Sequence, residues 1–187
     1  MWEYVQLIVE KILAIIDGSN FYHRSKCLCP NVHLTNFNYR KLVEQIVGAQ
    51  NTKHLQKVRI LYCVGEIKRE SGNEKAEKMY SQQQSLFYNL EQQKIGIYKG
   101  FMLKSDGKYH EKGVDVRIAV EIVKGALKNE YNKCFLFSSD TDIIPAILEA
   151  KKVKKEIIYV GFENKLSRAM MKNCSRTEVV RMDKFRI

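Results

Sequence analysis

The sequence is poor in residues that break a fold: its 187 residues include two prolines, ten glycines and one tryptophan. Fibrous and low-complexity chains need far more glycine and proline, so both classes are excluded. Long apolar runs are also missing, and none is long enough to span a membrane. The run 7–9 is interrupted by Glu10 and Lys11, which is unlike a signal peptide. We therefore expect a globular protein that does not act in a membrane.

Its five cysteines are odd in number and irregularly spaced, so no disulfide framework is predicted. Free thiols are typical of a reducing compartment, which predicts a cytoplasmic location. Cys27 and Cys29 lie near His23 and His33 in the sequence, and a zinc site is an alternative there. That alternative is weak because a second cysteine pair at zinc-binding spacing is missing.

Positive charge is in excess, with 32 Lys and Arg against 21 Asp and Glu and a net charge of +11. A basic field attracts anionic partners such as nucleic acid, nucleotides or an anionic membrane surface. A basic surface that serves solubility alone is the competing interpretation. Acidic residues that cluster within such a chain would favour a metal that bridges carboxylates to phosphate.

Apolar β-rich segments alternate with helical patterns, which predicts an α/β fold with a mainly parallel central sheet. We expect a three-layer α/β/α, Rossmann-like arrangement in a single domain over 1–187, with its core at about 11–182. Predicted strands cover 12–16, 58–64, 95–103, 134–138, 157–161 and 178–180. Predicted helices cover 38–49, 73–94, a segment that begins at 112, a segment that ends at 152, and 164–171.

Three shorter segments complete this prediction. A hairpin is expected at 105–108, where Asp106-Gly107 is a turn signal, and 23–38 is expected to be a loop. The segment 1–10 is compatible with an extra strand or with a short helix, and the sequence does not decide between them. In the helix at 73–94, the residues expected to face the core are Met79, Leu86, Phe87 and Leu90.

Acidic residues follow two of the predicted strands and begin one predicted helix. Asp17 comes directly after the first strand, Asp140 and Asp142 follow the fourth, and Asp115 opens a helix. If the first and fourth strands are neighbours, their carboxyl ends lie at the edge where open α/β sheets bind ligands. Four carboxylates there would repel one another unless a cation neutralised them. Oxygen ligands select Mg²⁺ or Mn²⁺.

Each acid also has a purely structural interpretation. Asp17 and Asp140 both stand where helix caps are common, and Asp115 would suit the positive end of a helix dipole. For one acid alone the cap is favoured, whereas Asp17 and Asp140 together favour a site. Glu121 follows Asp115 by six residues, which is roughly 240° around a helix, so geometry places Glu121 outside it.

Basic and polar residues near the same edge are candidates for contacts with the phosphates or bases of an anionic partner. Asn20 is expected to bind a phosphate, a ligating water or its own turn. Tyr22 could stack on a base. The lysines and arginine that suit a phosphate track are Lys68, Arg69, Lys99 and Lys104. Lys112, just before the Asp115 helix, is either a further phosphate contact or a free surface lysine.

Three stretches resemble the signature motifs of the NYN family of PIN-like ribonucleases, including its LabA-like branch. They are IDGSNFY at 16–22, KGVDV at 112–116 and SSDTDIIP at 138–145, in matching order and spacing. The resemblance implies a PIN-like sheet and metal-dependent ribonuclease activity. By motif match it makes four aspartates the catalytic, metal-binding acids, with Asn20 in support: Asp17, Asp115, Asp140 and Asp142.

The resemblance also adds two supporting candidates. Many relatives carry an aspartate where Glu121 stands, so a carboxylate is retained there. Serine replaces the common glycine near Ser139, which tightens the turn.

The leading hypothesis is a Mg²⁺- or Mn²⁺-dependent ribonuclease that cleaves RNA internally. The alternatives are a non-catalytic RNA-binding module of the same fold and, less favoured, a metal-dependent phosphatase for small molecules. RNA is the expected partner, and a homodimer is left open.

Overall fold

A computed structural model describes residues 10–48, 56–70, 72–105 and 108–185. Strands and helices alternate over these ranges: β1 Glu10–Asp17, α1 Gly18–Leu28, α2 Tyr39–Gly48, β2 Gln56–Glu66, α3 Glu74–Gln92, β3 Gly96–Ser105, β4 Lys108–Lys112, α4 Val114–Leu127, β5 Lys133–Phe137, α5 Ile144–Lys152, β6 Glu156–Phe162, α6 Arg168–Asn173 and β7 Arg176–Val180. The predictions for 1–9, for residue 49 and for the turn at 106–107 lie outside the described residues.

The described strands form one seven-stranded sheet in the order β4-β3-β2-β1-β5-β6-β7. All neighbouring pairs are parallel except β3 and β4, which form the antiparallel hairpin expected from the sequence. The sheet is therefore mixed but mostly parallel, and the α/β class is confirmed. β1 lies directly beside β5, with Ile16 paired to Phe137. This adjacency brings the predicted acidic turns after both strands to one edge of the sheet.

Residues of β1 alternate between two buried clusters, one on each face of the sheet. Ile12, Ala14 and Ile16 join a cluster with residues of α2 and α3. Leu13 and Ile15 join a second cluster with residues of α4 and α5. A strand covered on both faces reads as a continuous apolar run, which is why 12–16 was predicted as a strand. The PIN-like layering itself stays a prediction.

The segment 23–38 is not the loop that we expected. α1 continues to Leu28, and a 3₁₀ helix follows at Leu34–Asn36. The helix buries Phe21 and Ser25, one turn apart, and ends just before Pro30. Phe21 packs among aromatic rings that include Phe37 at 6.2 Å between ring centroids. Polar residues on the other face of α1 hid this helical period in the sequence.

Two smaller predictions also need correction. The helix predicted at 164–171 begins at Arg168, because the Ser167 side chain accepts a hydrogen bond from the Met170 N–H and caps it. Met79 is not a core residue: it is 44% exposed, whereas Phe87 and Leu90 of the same helix are buried. Pro145 stands in the first turn of α5, as expected. None of the helices in the described ranges is both long and apolar enough to cross a membrane.

Candidate metal and nucleic-acid site

Asp17 ends β1 and is only 4% exposed. Its Oδ1 accepts a hydrogen bond from the Asn20 N–H at 3.0 Å, which caps α1. Its Oδ2 accepts one from the Ser138 hydroxyl at 2.7 Å, just after β5. The capping interpretation of Asp17 is thus confirmed, yet the same carboxylate also links the ends of two neighbouring strands.

The turn after β5 presents the second pair of acids. The Asp140 N–H donates to the Ser138 hydroxyl at 3.1 Å, so one serine connects Asp140 to Asp17. Asp140 Oδ1 accepts from the Asp142 N–H at 2.9 Å and caps a short 3₁₀ helix at Thr141–Ile143. Asp142 itself is exposed. The turn is therefore locally rigid while the Asp142 carboxylate faces solvent.

Asp115 is the second residue of α4, a helix that begins directly after Gly113. Gly113 has a φ of 82°, in the left-handed region that favours glycine, so the chain can turn sharply from β4 into α4. Burial raises the pKa of Asp115, and the negative charges of Asp140, Glu111 and Asp142 raise it further. Asp115 is thus electrostatically coupled to the turn after β5.

Glu111 of β4 is a fifth acid at this edge, and the sequence reasoning missed it. Its Oε1 accepts a hydrogen bond from the Gly65 N–H at the end of β2. Its charge raises the pKa values of both Asp17 and Asp115. Its position in the sequence could have identified it, because Glu111 directly precedes the KGVDV motif. The strand β4 was predicted only as half of a hairpin, without an assignment of which residues turn toward the site.

These five carboxylates form the acidic edge: Asp17, Glu111, Asp115, Asp140 and Asp142. Burial, together with the charges of Asp115 and Glu111, raises the pKa of Asp17 to about 6 despite two hydrogen bonds that lower it. Across the described part of the chain, no lysine, arginine or histidine forms an ion pair with any of the five. Negative charge therefore accumulates at this edge without an ion-paired cation from the residues that the structure describes.

The acidic edge does not close into a complete cage. Within the described ranges, no group of three or more His, Cys, Asp or Glu side chains is arranged to hold a metal ion. This is compatible with Mg²⁺, which usually keeps several waters and is bound by one or two carboxylates together with substrate phosphate. The donors are all oxygens, so the residues fit a hard divalent cation rather than zinc.

Glu121 occupies a different environment from the acidic edge. It is 2% exposed and forms ion pairs with Arg59 and Arg117, each at 2.8 Å, and with Lys124 at 3.6 Å. Burial alone would raise its pKa, but the hydrogen bond from Arg59 and the charges of Arg117 and Lys124 lower it. The structure therefore places Glu121 among cations. Whether Glu121 takes part in the site stays a prediction.

The other supporting candidates lie close to the acidic edge. Asn20 contributes its backbone N–H to Asp17. The Ser139 hydroxyl forms a hydrogen bond with the Tyr159 hydroxyl at 2.8 Å, which ties the turn to β6. Neither observation requires contact with a substrate.

The predicted RNA-binding residues are not equivalent. Lys68 and Arg69 are exposed in the loop after β2, and Lys112 is exposed at the end of β4. Lys99 instead pairs with Glu66 at 2.9 Å and lies over the Phe87 ring. Tyr22 is 49% exposed on α1. The side chain of Lys104 lies outside the described part of the structure, although its backbone belongs to β3.

Two openings flank the acidic edge. A groove of about 1010 Å³ runs between α4 and α5, and Asp115 and Asp142 stand among its lining residues. A smaller cavity of about 320 Å³ lies between the loop after β2, the start of α3 and the β3–β4 hairpin. Lys68 and Arg69 line the smaller cavity, so the structure brings two predicted RNA contacts together there.

Comparisons with known proteins identify a family for this chain. The family model of the NYN domain matches residues 11–180. NYN domains are generally nucleases, and NYN nucleases generally depend on a divalent metal. No curated protein matches the chain closely.

A crystal structure of a protein of unknown function from Vibrio parahaemolyticus is similar in fold. It has a TM-score of 0.65 and 16% sequence identity, over 94% of this chain and 95% of that chain. At this identity the likeness shows the fold alone.

Proposed function

Because the chain belongs to the NYN domain family, we propose that it is a metal-dependent ribonuclease that hydrolyses phosphodiester bonds within RNA. The observation that carries the proposal is the acidic edge, where carboxylates from β1, β4, α4 and the turn after β5 meet without a cation from the described chain. Such an edge is electrostatically unfavourable by itself and becomes favourable when it faces an external cation.

Asp17, Asp115, Asp140 and Asp142 would hold Mg²⁺ or Mn²⁺, with Glu111 beside them. A divalent ion bound there would lower the pKa of a water molecule and stabilise the leaving oxygen of the phosphodiester. Ser138 orients the Asp17 carboxylate by its hydrogen bond, and the cap formed by Asp140 fixes the turn. The chain therefore supplies positioned oxygen donors on a rigid sheet edge.

Substrate attraction comes from the basic surface. The net charge of +11 favours a polyanion. Lys68, Arg69 and Lys112 are the exposed candidates for phosphate contacts, and Tyr22, Lys104 and Lys99 complete the predicted set. Lys99 is the weakest of these because Glu66 already neutralises it.

A non-catalytic RNA-binding module is the second candidate. It is favoured by one observation: both oxygens of Asp17 already accept hydrogen bonds from the protein. Such a module would bind RNA with steep salt dependence and leave it intact in Mg²⁺ or Mn²⁺. The same binding behaviour for long RNA would count against a small-molecule phosphatase.

The deciding experiment is Asp140→Asn assayed on single-stranded RNA in Mg²⁺ and in Mn²⁺. The amide oxygen of asparagine can still accept from the Asp142 N–H, so the fold should be retained. We expect cleavage to fall at least about 100-fold, since changes to mere neighbours of metal ligands already lower activity 10–100-fold. The matched control is Asp183→Asn, an exposed aspartate after β7. Cleavage by Asp140→Asn at the wild-type rate, with unchanged metal dependence, would contradict the proposal.

Further expectations extend this proposal. We infer that the chain is a single domain over 1–187 and that it belongs to the LabA-like branch of the family. We also infer that it acts in the cytoplasm, and we propose a homodimer as the assembly to test. Size-exclusion chromatography with light scattering measures the last of these, and a monomer at micromolar concentration would exclude it.

A further inference from the structure

The cavity of about 320 Å³ has walls of mixed chemistry. Its apolar side is formed by Ile67, Ala76, Met79 and Met102, and its polar rim by Lys68, Arg69, Glu70 and Tyr109. The volume is at the lower end of about 300–1,000 Å³, the range of small-ligand pockets. Thioether sulfurs such as those of methionine make favourable contacts with aromatic rings. The walls therefore suit a flat ring better than an extended chain.

The loop that forms one wall is held in place by a buried polar residue. Gln83 of α3 is 7% exposed. Its side chain accepts a hydrogen bond from the Ile67 N–H at 2.7 Å and donates one to the Gly65 carbonyl at 2.8 Å. On the opposite rim, the Tyr109 hydroxyl donates to Glu70 at 2.8 Å. The cavity is thus pre-formed by hydrogen bonds from two sides rather than by loose packing.

The cavity adjoins the acidic edge through Gly65. A Cβ on Gly65 would lie 2.7 Å from the Met102 sulfur and 2.9 Å from Glu111 Oε1, so the glycine leaves room for both side chains in their present positions. Met102 and Glu111 are also register partners in the β3–β4 hairpin. Glu111 raises the pKa of both Asp17 and Asp115. Glu111 is therefore the residue that stands between the Met102 wall of the cavity and the aspartates of the proposed catalytic centre.

We propose that this cavity binds one unpaired nucleobase of the RNA substrate, next to the phosphodiester held at the acidic edge; the inference rests on the proposed ribonuclease function. The base ring packs between the Met79 and Met102 side chains. The exposed Lys68 and Arg69 contact the flanking phosphates. RNA matches this site because each of its nucleotides carries a flat base and a charged phosphate. The base fits the ring-sized apolar cavity, and the phosphates fit the cations at its rim.

A consequence follows for the kind of RNA that the protein takes. A base that is paired in a duplex cannot enter a cavity of this size without leaving the stack. We therefore expect single-stranded RNA to be preferred, and one nucleotide near the cleaved bond to contribute more to binding than its neighbours. RNA with this base should bind about tenfold more tightly than the same RNA without it.

The test is a binding series with 12-nucleotide single-stranded RNAs, each carrying one abasic site at a different position. Wild-type protein is titrated in EDTA at fixed salt, so that binding is measured without cleavage. The same set is repeated with Met79→Trp, which fills the cavity from an exposed helix position, and with Met171→Trp as a control. Met171 is 45% exposed on α6 and does not line the cavity.

For the wild type and Met171→Trp we expect an abasic site at one position to weaken binding about tenfold. Met79→Trp should bind the intact RNA about tenfold more weakly and lose this sensitivity, because the two changes remove the same contact. A flat abasic series for wild-type protein, or equal sensitivity in Met79→Trp, overturns the inference. If the wild type cuts RNA in Mn²⁺ but the series is flat, only the nucleobase site fails; if it neither binds nor cuts RNA, the proposed function fails with it.

Discussion

Helix α4 carries two acids with opposite electrostatic surroundings. Asp115, in its first turn, faces other carboxylates, and its pKa is raised by burial and by Asp140. Glu121, six residues later, is buried among Arg59, Arg117 and Lys124, and its pKa is lowered. In the sequence, both are acids of one helix, and helical spacing alone set Glu121 apart from Asp115.

The difference teaches how the chain separates structural acids from acids available for a ligand. Glu121 is neutralised by the protein, and its ion pair with Arg59 links α4 to β2. Asp115 belongs to a group for which the described residues supply no ion-paired cation. For an acid of the second kind, the repulsion between neighbouring carboxylates is relieved when a cation from outside binds.

The largest expected effect on stability concerns Asp17. Its pKa is raised from 3.8 to about 6, mainly by burial, so the folded protein binds this proton more tightly than the unfolded chain does. The stabilisation from the protonated form is complete below about pH 4 and is lost as the pH rises through about 6. We therefore expect metal-free Asp17→Asn to be more stable than wild type at pH 8, by up to about 3 kcal/mol.

Urea unfolding of both proteins in EDTA from pH 4 to pH 8 measures this difference. The advantage of Asp17→Asn should shrink toward zero near pH 4, and excess Mn²⁺ at pH 8 should stabilise the wild type more than the variant. A variant that is less stable than wild type at pH 8 would show that Asp17 acts chiefly as a helix cap.

Glu121→Gln should lower the stability of the protein, whereas Asp17→Asn should raise it, and the change should be smaller. Loss of the charge leaves Arg59 and Arg117 without their buried partner, but both side chains are 40% or more exposed. We expect a loss of about 1–2 kcal/mol at pH 7, well below the 3–5 kcal/mol of a fully buried pair.

The pH dependence separates Glu121 from Asp17. A lowered pKa stabilises the fold above the unfolded value of about 4.5 and loses this contribution as the pH falls. The deficit of Glu121→Gln in urea unfolding should therefore shrink as the pH falls below about 4.5. RNA cleavage should be little changed, and a loss as large as that of Asp140→Asn would place Glu121 in the catalytic centre.

The smallest expected effect concerns two lysines, one without a described ion pair and one that pairs with an acid, as Asp115 and Glu121 were compared above. Lys68 is exposed at the cavity rim, whereas Lys99 is paired with Glu66. We expect Lys68→Ala to reduce the slope of log affinity against log salt for single-stranded RNA by about 0.7, the value for one phosphate contact. Lys99→Ala should change the slope much less. Equal changes in both variants would show that ion pairing does not decide which lysines contact RNA.

Local patterns were enough to predict the elements that place the site. The apolar runs ending at Asp17 and at Ser138 indicated buried parallel strands. Their adjacency was only a condition of the predicted site, and the pairing of Ile16 with Phe137 shows it. The turn at Asp140 was likewise visible, because Pro145 fixes where the next helix begins. What these features share is that each depends on residues close together in the sequence.

Long-range partners could not be predicted in the same way. Glu111 reaches the acidic edge only because β4 folds back beside β3, which places Glu111 Oε1 where it accepts a hydrogen bond from the Gly65 N–H. The environment of Glu121 depends on Arg59, which is 62 residues away. Met79 matched the helical period of a core residue but lines an open cavity instead. In each case the deciding neighbour comes from another element of the sheet.

The measurement that tests the account most directly is Mn²⁺ binding by Asp115→Asn and by Glu121→Gln, in the absence of RNA. Both variants remove one negative charge from the same helix, so their effect on net charge is identical. Electron paramagnetic resonance of free Mn²⁺ should show binding by wild type and by Glu121→Gln, and at least about tenfold weaker binding by Asp115→Asn. Equal weakening in both variants, or full binding by Asp115→Asn, would contradict the claim that the acidic edge is the metal site.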